Sequence, residues 1–243
     1  MHTLPIKTRI LVPPQDNLFE AIQESSLAPQ ERDIVVVSSK VVAIHEGRCV
    51  KADKNIKEDL IHREADRYLV GADSRWPICL THGTFLASAG IDESNCGNYF
   101  ALLPEHPHQS AQRLRTFLMK EYGRTEIGVI VSDSHSIPLR YGTLGVALGW
   151  SGFEPVSHFT GKPDLFGRLA QFTRINVVDS LAGAGTFVMG ELAEQTPLAV
   201  IRGAPHVVFT DRDTSRELAI PPREDIYWPL LKDFYERTER KTE

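Results

Sequence analysis

The sequence lacks the features that would place the protein in a membrane or in an oxidising compartment. Its 243 residues contain no apolar run close to the about 18–20 residues that cross a bilayer. The N-terminus has neither the apolar stretch nor the cleavage site of a signal peptide. The cysteines, Cys49, Cys79 and Cys96, are few, odd in number and without metal-type spacing. We therefore predict a cytoplasmic protein without a membrane partner, in which the reduced cysteines are small core residues.

A surplus of positive charge is also missing. The formal net charge of −5 argues against a general nucleic-acid-binding surface, although a local basic pocket could still bind phosphate groups. Internal repeats, low-complexity tracts and Gly/Ser linkers are absent too. Apolar residues make up 42% of the chain and charged residues 24%, which is typical of a globular protein with a substantial core. We predict a single domain over residues 1–243.

Apolar periodicity predicts helices and strands in a mixed order, which favours an α+β fold over a regular βαβ alternation. The predicted helices cover residues 16–27, 57–69, 110–122, 175–192 and 224–241. Asp16 and Ser110 are the predicted N-caps of the first and third helices, and Pro229 starts or breaks the last. The predicted strands cover residues 33–44, 126–133 and 198–203, with one or two more in 77–95, and residues 1–13 are extended.

Two acidic segments follow predicted strands, at residues 89–95 and 132–136. An aspartate at the end of a strand is held rigidly by the sheet while its carboxylate reaches solvent. Asp92 and Asp133 could therefore bind a hard divalent cation, with the hydroxyl group of Ser134 as a further ligand. Each segment by itself is more often an ordinary loop.

Glycines and an arginine follow Asp133 closely. Gly142, Gly145 and Gly149 would let backbone N–H groups approach an anion, and the guanidinium group of Arg140 suits phosphate. Together with the carboxylate, these residues indicate a site for a metal ion and a nucleotide. A tight turn between two strands, with Arg140 in solvent, explains the same spacing equally well.

Other motifs point less clearly to chemistry. The glycines of residues 183–190 suggest a dinucleotide-binding fingerprint, but Val188 stands where a third glycine is needed, so we interpret them as close helix packing. His135 could act as an acid, a base or a ligand, yet a lone histidine in a loop is more often simply exposed. The spacing supports no Ser-His-Asp or Cys-His arrangement.

Seven segments occur in the order in which they are found in one protein family. Over residues 4–203 the chain resembles the coenzyme F420-0:L-glutamate ligases, with residues 204–243 as a C-terminal extension. The segments begin with LPIKTRI near the N-terminus and continue with 33–48, 82–95, 102–115, 129–152, 161–168 and 177–203.

The resemblance implies an unusual α+β fold that forms an intertwined homodimer. It also implies GTP-dependent formation of an amide bond in the presence of Mg²⁺ or Mn²⁺. In that reaction the carboxylate of the acceptor, F420-0 or another carboxylate-bearing molecule, first takes the γ-phosphoryl group and becomes an acyl phosphate. The amine of L-glutamate then displaces phosphate.

The resemblance also assigns roles to individual residues. Asp92 and Asp133 match the metal-binding carboxylates, Ser134 stands where the family usually has a metal-binding threonine, and Glu191 completes the metal shell. Some nucleotide contacts are implied by the resemblance, and others are candidates from the sequence itself. Together they are Leu4, Pro5, Ile6, Lys40, Asn95, Gly142, Met189 and Gly190. The candidate catalytic residues are Asp133, His135 and Arg140.

The chain departs from the family pattern in two places. Residues 133–138 read Asp-Ser-His-Ser-Ile-Pro, where the family often has a Gly-Arg pair. Ala43 and Ile44 stand where the family usually has Ser-Lys, which leaves Lys40 as the lysine that could reach the nucleotide. These departures leave ATP open as the nucleotide and leave two other functions open: a nucleotide-binding protein without ligase activity, or a metal-dependent phosphohydrolase.

Overall fold

The computed structural model describes residues 1–71 and 76–238. In these ranges the elements follow one another in a mixed order, which confirms the predicted α+β class. The strands are β1 (His2–Ile6), β2 (Ile34–Ser38), β3 (Cys49–Lys51), β4 (Arg67–Leu69), β5 (Ile78–Thr81), β6 (Thr84–Ala87), β7 (Tyr99–Ala101), β8 (Gly128–Ser136), β9 (Thr143–Ser151), β10 (Val156–His158), β11 (Arg174–Asn176) and β12 (Leu198–Arg202). The α-helices are α1 (Leu18–Gln23), α2 (Ser39–His45), α3 (Lys57–Glu64), α4 (Pro107–Tyr122), α5 (Val177–Met189) and α6 (Trp228–Arg237).

A five-stranded sheet with the order β1-β12-β2-β8-β9 forms the centre of the described structure. Strands β2 and β8 are parallel, and the other neighbouring pairs are antiparallel. The smaller sheets pair β3 with β7, β10 with β11, and β5 with both β4 and β6. Because β2 and β8 run in the same direction, Ser38 at the end of β2 lies beside Ser132 of β8.

Apolar side chains cover both faces of the central sheet, which explains the continuous apolar runs of β2 and β8. Val35 and Val129 belong to the core that α1, α2 and α4 complete, whereas Val36 and Ile130 belong to the core that α5 completes. The alternation follows from the two-residue period of a strand. The apolar part of the sheet is therefore buried between helices.

The predicted strand over residues 33–44 is wrong in its second half. Strand β2 ends at Ser38, and α2 begins at Ser39. The side chains of Val41, Val42 and Ile44 pack into the core from this helix, so tertiary packing overrides their preference for strands. The correction places Ser39 and Lys40 directly beyond the end of a parallel strand.

The predicted strand over residues 126–133 is too short. Strand β8 continues to Ser136 and pairs with β9, with a register shift between Val131 and Ser132. Such bulges redirect side chains and are common beside active sites. Asp133 is therefore an internal strand residue, paired with Val146, and not a loop residue at the end of a strand.

Two of the three glycines predicted to form an anion-binding loop lie inside β9. A Cβ atom at Gly145 would lie 2.3 Å from Oγ1 of Thr186, and one at Gly149 would lie 2.3 Å from the carbonyl carbon of Pro107. These glycines allow α5 and α4 to pack closely on the sheet, so the loop interpretation is wrong for both. Gly142, with a φ of +92°, lies in the exposed connection between β8 and β9.

The helix limits also differ from the prediction. Asn17, not Asp16, caps α1 by accepting hydrogen bonds from the backbone of the first turn, because Asp16 is paired with Arg9. Helix α4 begins at Pro107, so Ser110 lies inside it, where its single O–H group faces Glu46 and the carbonyl oxygen of residue 106. The predicted helix 57–69 ends at residue 64, and β4 follows it.

The remaining predicted elements agree with the structure to within a few residues. They are β1, the pair β5 and β6, helix α5, strand β12 and helix α6, which has Pro229 in its first turn. The last residues of the predicted helix 224–241, from 239 onwards, lie outside the described residues. Gly185 in α5 packs against Val36, as the prediction of close helix packing requires.

The cysteines are free thiols in the described structure. Cys79 and Cys96 are buried, as expected of core residues, and Cys49 is half-buried. Burial raises the pKa of each thiol, to about 11 for the two buried ones. Within residues 1–71 and 76–238, each helix is too short or too polar to cross a membrane.

Candidate functional site

A cavity of about 350 Å³ lies where β2 ends beside β8. The ends of parallel strands are the usual place for ligand sites in open α/β sheets. Its walls come from the ends of these strands, from the loop after β1 at residues 8–11, from Asp92, Ser94 and Asn95, and from residues 189–197 between α5 and β12. Segments that are far apart in the sequence therefore meet around one space.

Asp133 contributes a half-buried carboxylate to this cavity. Its Oδ1 accepts a hydrogen bond of 3.0 Å from the buried hydroxyl group of Ser39. Burial raises the pKa of Asp133 to about 6 and the charge of Asp92 adds to this, whereas Ser39 and Lys40 oppose it. An ionised carboxylate in these surroundings is stabilised by any further positive charge.

Asp92 lies in the same cavity and already contacts a positive charge. Nζ of Lys40 is 2.7 Å from Oδ2 of Asp92 and donates a hydrogen bond of 2.8 Å to Oγ of Ser94. The backbone N–H of Ser94 donates to Oδ1 over 2.7 Å, and its hydroxyl donates to Oδ2 over 3.1 Å. Burial acts to raise the pKa of Asp92, but Lys40 and Ser94 outweigh it and hold this pKa below its ordinary value.

Glu191 adds a third carboxylate, directly after α5 and Gly190. Hydroxyl groups from β8 and β9 donate to it: Ser134 to Oε2 over 3.4 Å and Thr143 to Oε1 over 3.3 Å. The amide group of Asn95 donates to the carbonyl oxygen of Leu192 over 2.7 Å, which ties the loop of Asp92 to the loop of Glu191.

The structure brings most of the predicted site residues together and separates the others. The predicted residues that line the cavity are Lys40, Asp92, Asn95, Asp133, Ser134, Met189, Gly190 and Glu191. Leu4, Pro5 and Ile6 lie outside this lining, in β1, where they pair with β12. His135 pairs with Leu144 in the β8–β9 ladder, and Arg140 and Gly142 lie in the exposed connection between these strands.

The sequence reasoning missed other residues of the lining. Thr8 and Arg9 follow β1, Ser38 and Ser132 end the apolar parts of two strands, and residues 192–197 lead into β12. The polar residues just after the β-branched run of β2 were the available signal, because polar side chains at the end of a buried strand face an open edge. The β-branched residues among 41–44 hide this signal, because they extend the strand-like pattern past Ser38.

The oxygen donors of the cavity fit a hard cation. Carboxylates and hydroxyl groups are the ligands that Mg²⁺ and Mn²⁺ prefer. In the described part of the chain, no three His, Cys, Asp or Glu side chains are close enough together to form a ready metal cage. Mg²⁺ usually takes one or two carboxylates together with water and substrate phosphates, so this donor set fits a cation that binds with a phosphate-bearing substrate.

Comparisons with known proteins identify the family. A model of the F420-0:gamma-glutamyl ligases matches residues 5–203. The coenzyme F420:L-glutamate ligase of Methanocaldococcus jannaschii is 33% identical over 230 residues, which cover 88% of this chain and 90% of that protein. The enzyme of the same name from Methanopyrus kandleri is 33% identical over 247 residues, covering 92% and 96% of the two chains. The one from Methanococcus maripaludis is 39% identical over 146 residues, covering 60% and 58%. With this match along most of its length, the chain belongs to the F420-0:gamma-glutamyl ligase family.

Proposed function

We propose that this protein is a ligase that joins L-glutamate through an amide bond to the carboxylate of F420-0, using a nucleoside triphosphate. Family membership supports glutamate ligation, the name of the family supports F420-0 as the acceptor, and the names of the relatives support coenzyme F420 and L-glutamate as the compounds involved. The observation that carries the proposal is that Asp92, Asp133 and Lys40 line one cavity although they come from three separate segments. Two carboxylates and an ammonium group at one site suit the binding of a triphosphate with its cation.

Asp92, Asp133, Ser134 and Glu191 would hold the Mg²⁺ or Mn²⁺ ion that accompanies the nucleotide. When bound, this ion supplies positive charge that neutralises the phosphate oxygens during phosphoryl transfer. The chain's own residues position the reactants. Lys40 brings a second positive charge to the same side of the cavity, and the loops tied by Asn95 border the space for the substrates.

The proposed reaction has two steps. An oxygen of the acceptor carboxylate takes the γ-phosphoryl group, which gives an acyl phosphate and a nucleoside diphosphate. The neutral amine of L-glutamate then attacks the carbonyl carbon, so that a C–N bond forms, the C–O bond to phosphate breaks, and the amine loses a proton. GTP is the nucleotide proposed from the family resemblance, with ATP as the alternative. His135 and Arg140 stay candidate catalytic residues for these steps.

A homodimer is part of the proposal. Four apolar side chains on two connections, Leu139 and Tyr141 after β8 and Leu165 and Phe166 between β10 and β11, are almost completely exposed. Exposed apolar surface of this kind is typical of protein–protein contacts. Light scattering coupled to size-exclusion chromatography tests the dimer directly, and a monomer at micromolar concentration would contradict it.

Product analysis tests the function. The protein is incubated with GTP or ATP, Mg²⁺, L-glutamate and F420-0, and the acceptor is followed by mass spectrometry, with reactions lacking glutamate as controls. Acceptor that gains glutamyl units supports the ligase. Nucleotide binding without turnover would support a binding protein, and phosphate release that is independent of glutamate and acceptor would support a phosphohydrolase.

A further inference from the structure

Two consecutive residues at the start of α2 contact two carboxylates that are far apart in the sequence. Ser39 donates a hydrogen bond to Asp133, and Lys40 forms an ion pair with Asp92. The Lys40 side chain is 22% exposed and that of Asp92 is 41% exposed, so this ion pair lies at the wall of an open cavity and not in the core. A ligand that enters the cavity can reach both partners.

Lys40 contacts the carboxylate that the proposed cation needs. Its Nζ lies 2.7 Å from Oδ2, and the same oxygen also accepts a hydrogen bond from the hydroxyl group of Ser94. Two donors therefore occupy this oxygen, and a cation that binds it must replace one of them. Repulsion between like charges favours replacement of the ammonium group, so we expect cation binding through this oxygen to move Lys40.

The contacts of Asp92 with Ser94 allow Lys40 to move while the Asp92 carboxylate stays in place. Ser94 holds the carboxylate through its backbone N–H and its hydroxyl group, so Asp92 keeps its orientation when the lysine leaves. Lysine carries a compact charge on a flexible four-carbon chain, which can move to a neighbouring anion while its backbone stays fixed in a helix. The nearest anion offered by the proposed reaction is the triphosphate.

We propose that Lys40 is an exchangeable counter-ion that couples cation binding to nucleotide binding. It pairs with Asp92 before the ligands enter, gives up this carboxylate when the cation binds, and then pairs with the phosphate groups. The proposal rests on the proposed function, since it assumes that a divalent cation and a nucleotide share this cavity. Because coupling between two sites is reciprocal, each ligand then favours binding of the other by removing Lys40 from Asp92.

The first test measures cation affinity without nucleotide. Mn²⁺ binding is titrated by electron paramagnetic resonance for the wild-type protein and for Lys40→Met. Removal of the competing ammonium group should tighten Mn²⁺ binding about tenfold, a typical size for coupling of this kind. Lys57→Met is the matched control, because Lys57 pairs with the adjacent Glu93 and its loss removes the same charge from the same region. Circular dichroism verifies that both variants are folded.

The second test is a double-mutant cycle on nucleotide binding in the presence of EDTA. Asp92→Asn should tighten the binding of a fluorescent GTP analogue several-fold, because it frees Lys40 for the phosphates. The same substitution in the Lys40→Met background should change this affinity little. Glu93→Gln removes a carboxylate from the neighbouring position and should have no such effect in either background.

The outcomes separate this inference from the proposed function. If Asp92→Asn increased the affinity for the GTP analogue equally in the wild-type protein and in Lys40→Met, the gain would come only from reduced charge repulsion. This result would overturn the coupling role of Lys40. Unchanged Mn²⁺ affinity in Lys40→Met would overturn it as well, while the ligase proposal would stand. A wild-type protein that binds neither Mn²⁺ nor the GTP analogue would overturn both.

Discussion

The buried hydroxyl group of Ser39 donates a hydrogen bond of 3.0 Å to Oδ1 of Asp133. This contact joins the first residue of α2 to β8, so the helix that follows one parallel strand orients a carboxylate on the neighbouring strand. One oxygen of Asp133 is thereby fixed from outside the cavity. Hydrogen bonds of this type set the orientation of a metal-binding carboxylate before the ligand enters.

Ser39→Ala should therefore reduce activity without unfolding the protein. Loss of an orienting partner of a ligand typically lowers metal affinity or activity about 10–100-fold. The measurement is kcat/KM for glutamate ligation, together with Mn²⁺ affinity. Ser25→Ala is the matched control, because the Ser25 hydroxyl group binds the backbone of Ile22 away from the cavity. Equal activities of the two variants would show that Ser39 does not orient Asp133 for catalysis.

Asp133→Asn should abolish ligation and stabilise the protein. The pKa of Asp133 is raised to about 6 in the fold, mainly by burial, so the ionised carboxylate that predominates at neutral pH costs the folded state free energy. Two pKa units correspond to about 3 kcal/mol, and because the residue is only half-buried we expect a gain of about 2 kcal/mol in the free energy of unfolding. Urea denaturation in the presence of EDTA measures this change in the free energy of unfolding.

The pH dependence of that gain has a defined sign. Since the pKa of Asp133 is higher in the folded than in the unfolded chain, protonation favours the wild-type fold. The advantage of Asp133→Asn should be full above about pH 7, decline as the pH falls through about 6 to about 4, and vanish below about pH 3, where the wild-type carboxyl group is neutral in both states. A constant advantage from pH 7 to pH 4 would contradict the raised pKa.

Local sequence patterns predicted the elements whose apolar pattern is clear within the segment itself, although their partners are distant in the chain. Helix α5 and strand β12 are examples. Each acidic segment by itself is typical of an ordinary loop, and Asp92 and Asp133 become functional candidates only together with the hydroxyl group, the arginine and the glycines that follow Asp133. The division between β2 and α2 was not predictable, because Val41 and Val42 favour strands locally and only their packing on the core makes them helical. Long-range packing decides such segments.

The glycines of β9 show that long-range packing also limits what a single sequence can predict about the candidate site. Gly145 and Gly149 have a spacing that fits an anion-binding loop, and a single sequence does not reveal the helices that lie against them. The contact between Lys40 and Asp92 is also non-local, since 52 positions separate the two residues. The sequence indicated the kind of residue needed at the site but not the partner of each residue.

Gly145→Ala should destabilise the protein, and Gly183→Ala should not. A Cβ atom at Gly145 would meet Oγ1 of Thr186 at 2.3 Å and the carbonyl oxygen of Ala182 at 2.6 Å, so we expect a loss of about 1–3 kcal/mol. Gly183 faces it from α5, and its added Cβ would have a nearest contact of 3.8 Å. There, alanine should raise stability by about 0.5–1 kcal/mol through helix propensity.

Thermal and urea denaturation distinguish the packing role of Gly145 from a ligand-binding role. Unchanged stability of Gly145→Ala combined with weakened nucleotide affinity would restore the anion-loop interpretation. Reduced stability with nucleotide affinity retained at low temperature would support close packing of α5 on the sheet.

Arg202→Met should destabilise the fold far more than the loss of a surface arginine does. Asp33 is almost completely buried, and the guanidinium group of Arg202 donates to both of its carboxylate oxygens over 2.7–3.2 Å. Loss of Arg202 leaves the buried carboxylate of Asp33 with the backbone N–H of Gln30 as a remaining donor, so most of its compensation is lost and the cost should exceed that of an exposed pair. Arg32→Met is the control, because the pair of Arg32 with Glu126 is exposed and should contribute less than about 1 kcal/mol. Urea denaturation at pH 7 measures both changes, and similar losses for the two variants would mean that the Asp33 pair contributes no more than an exposed one.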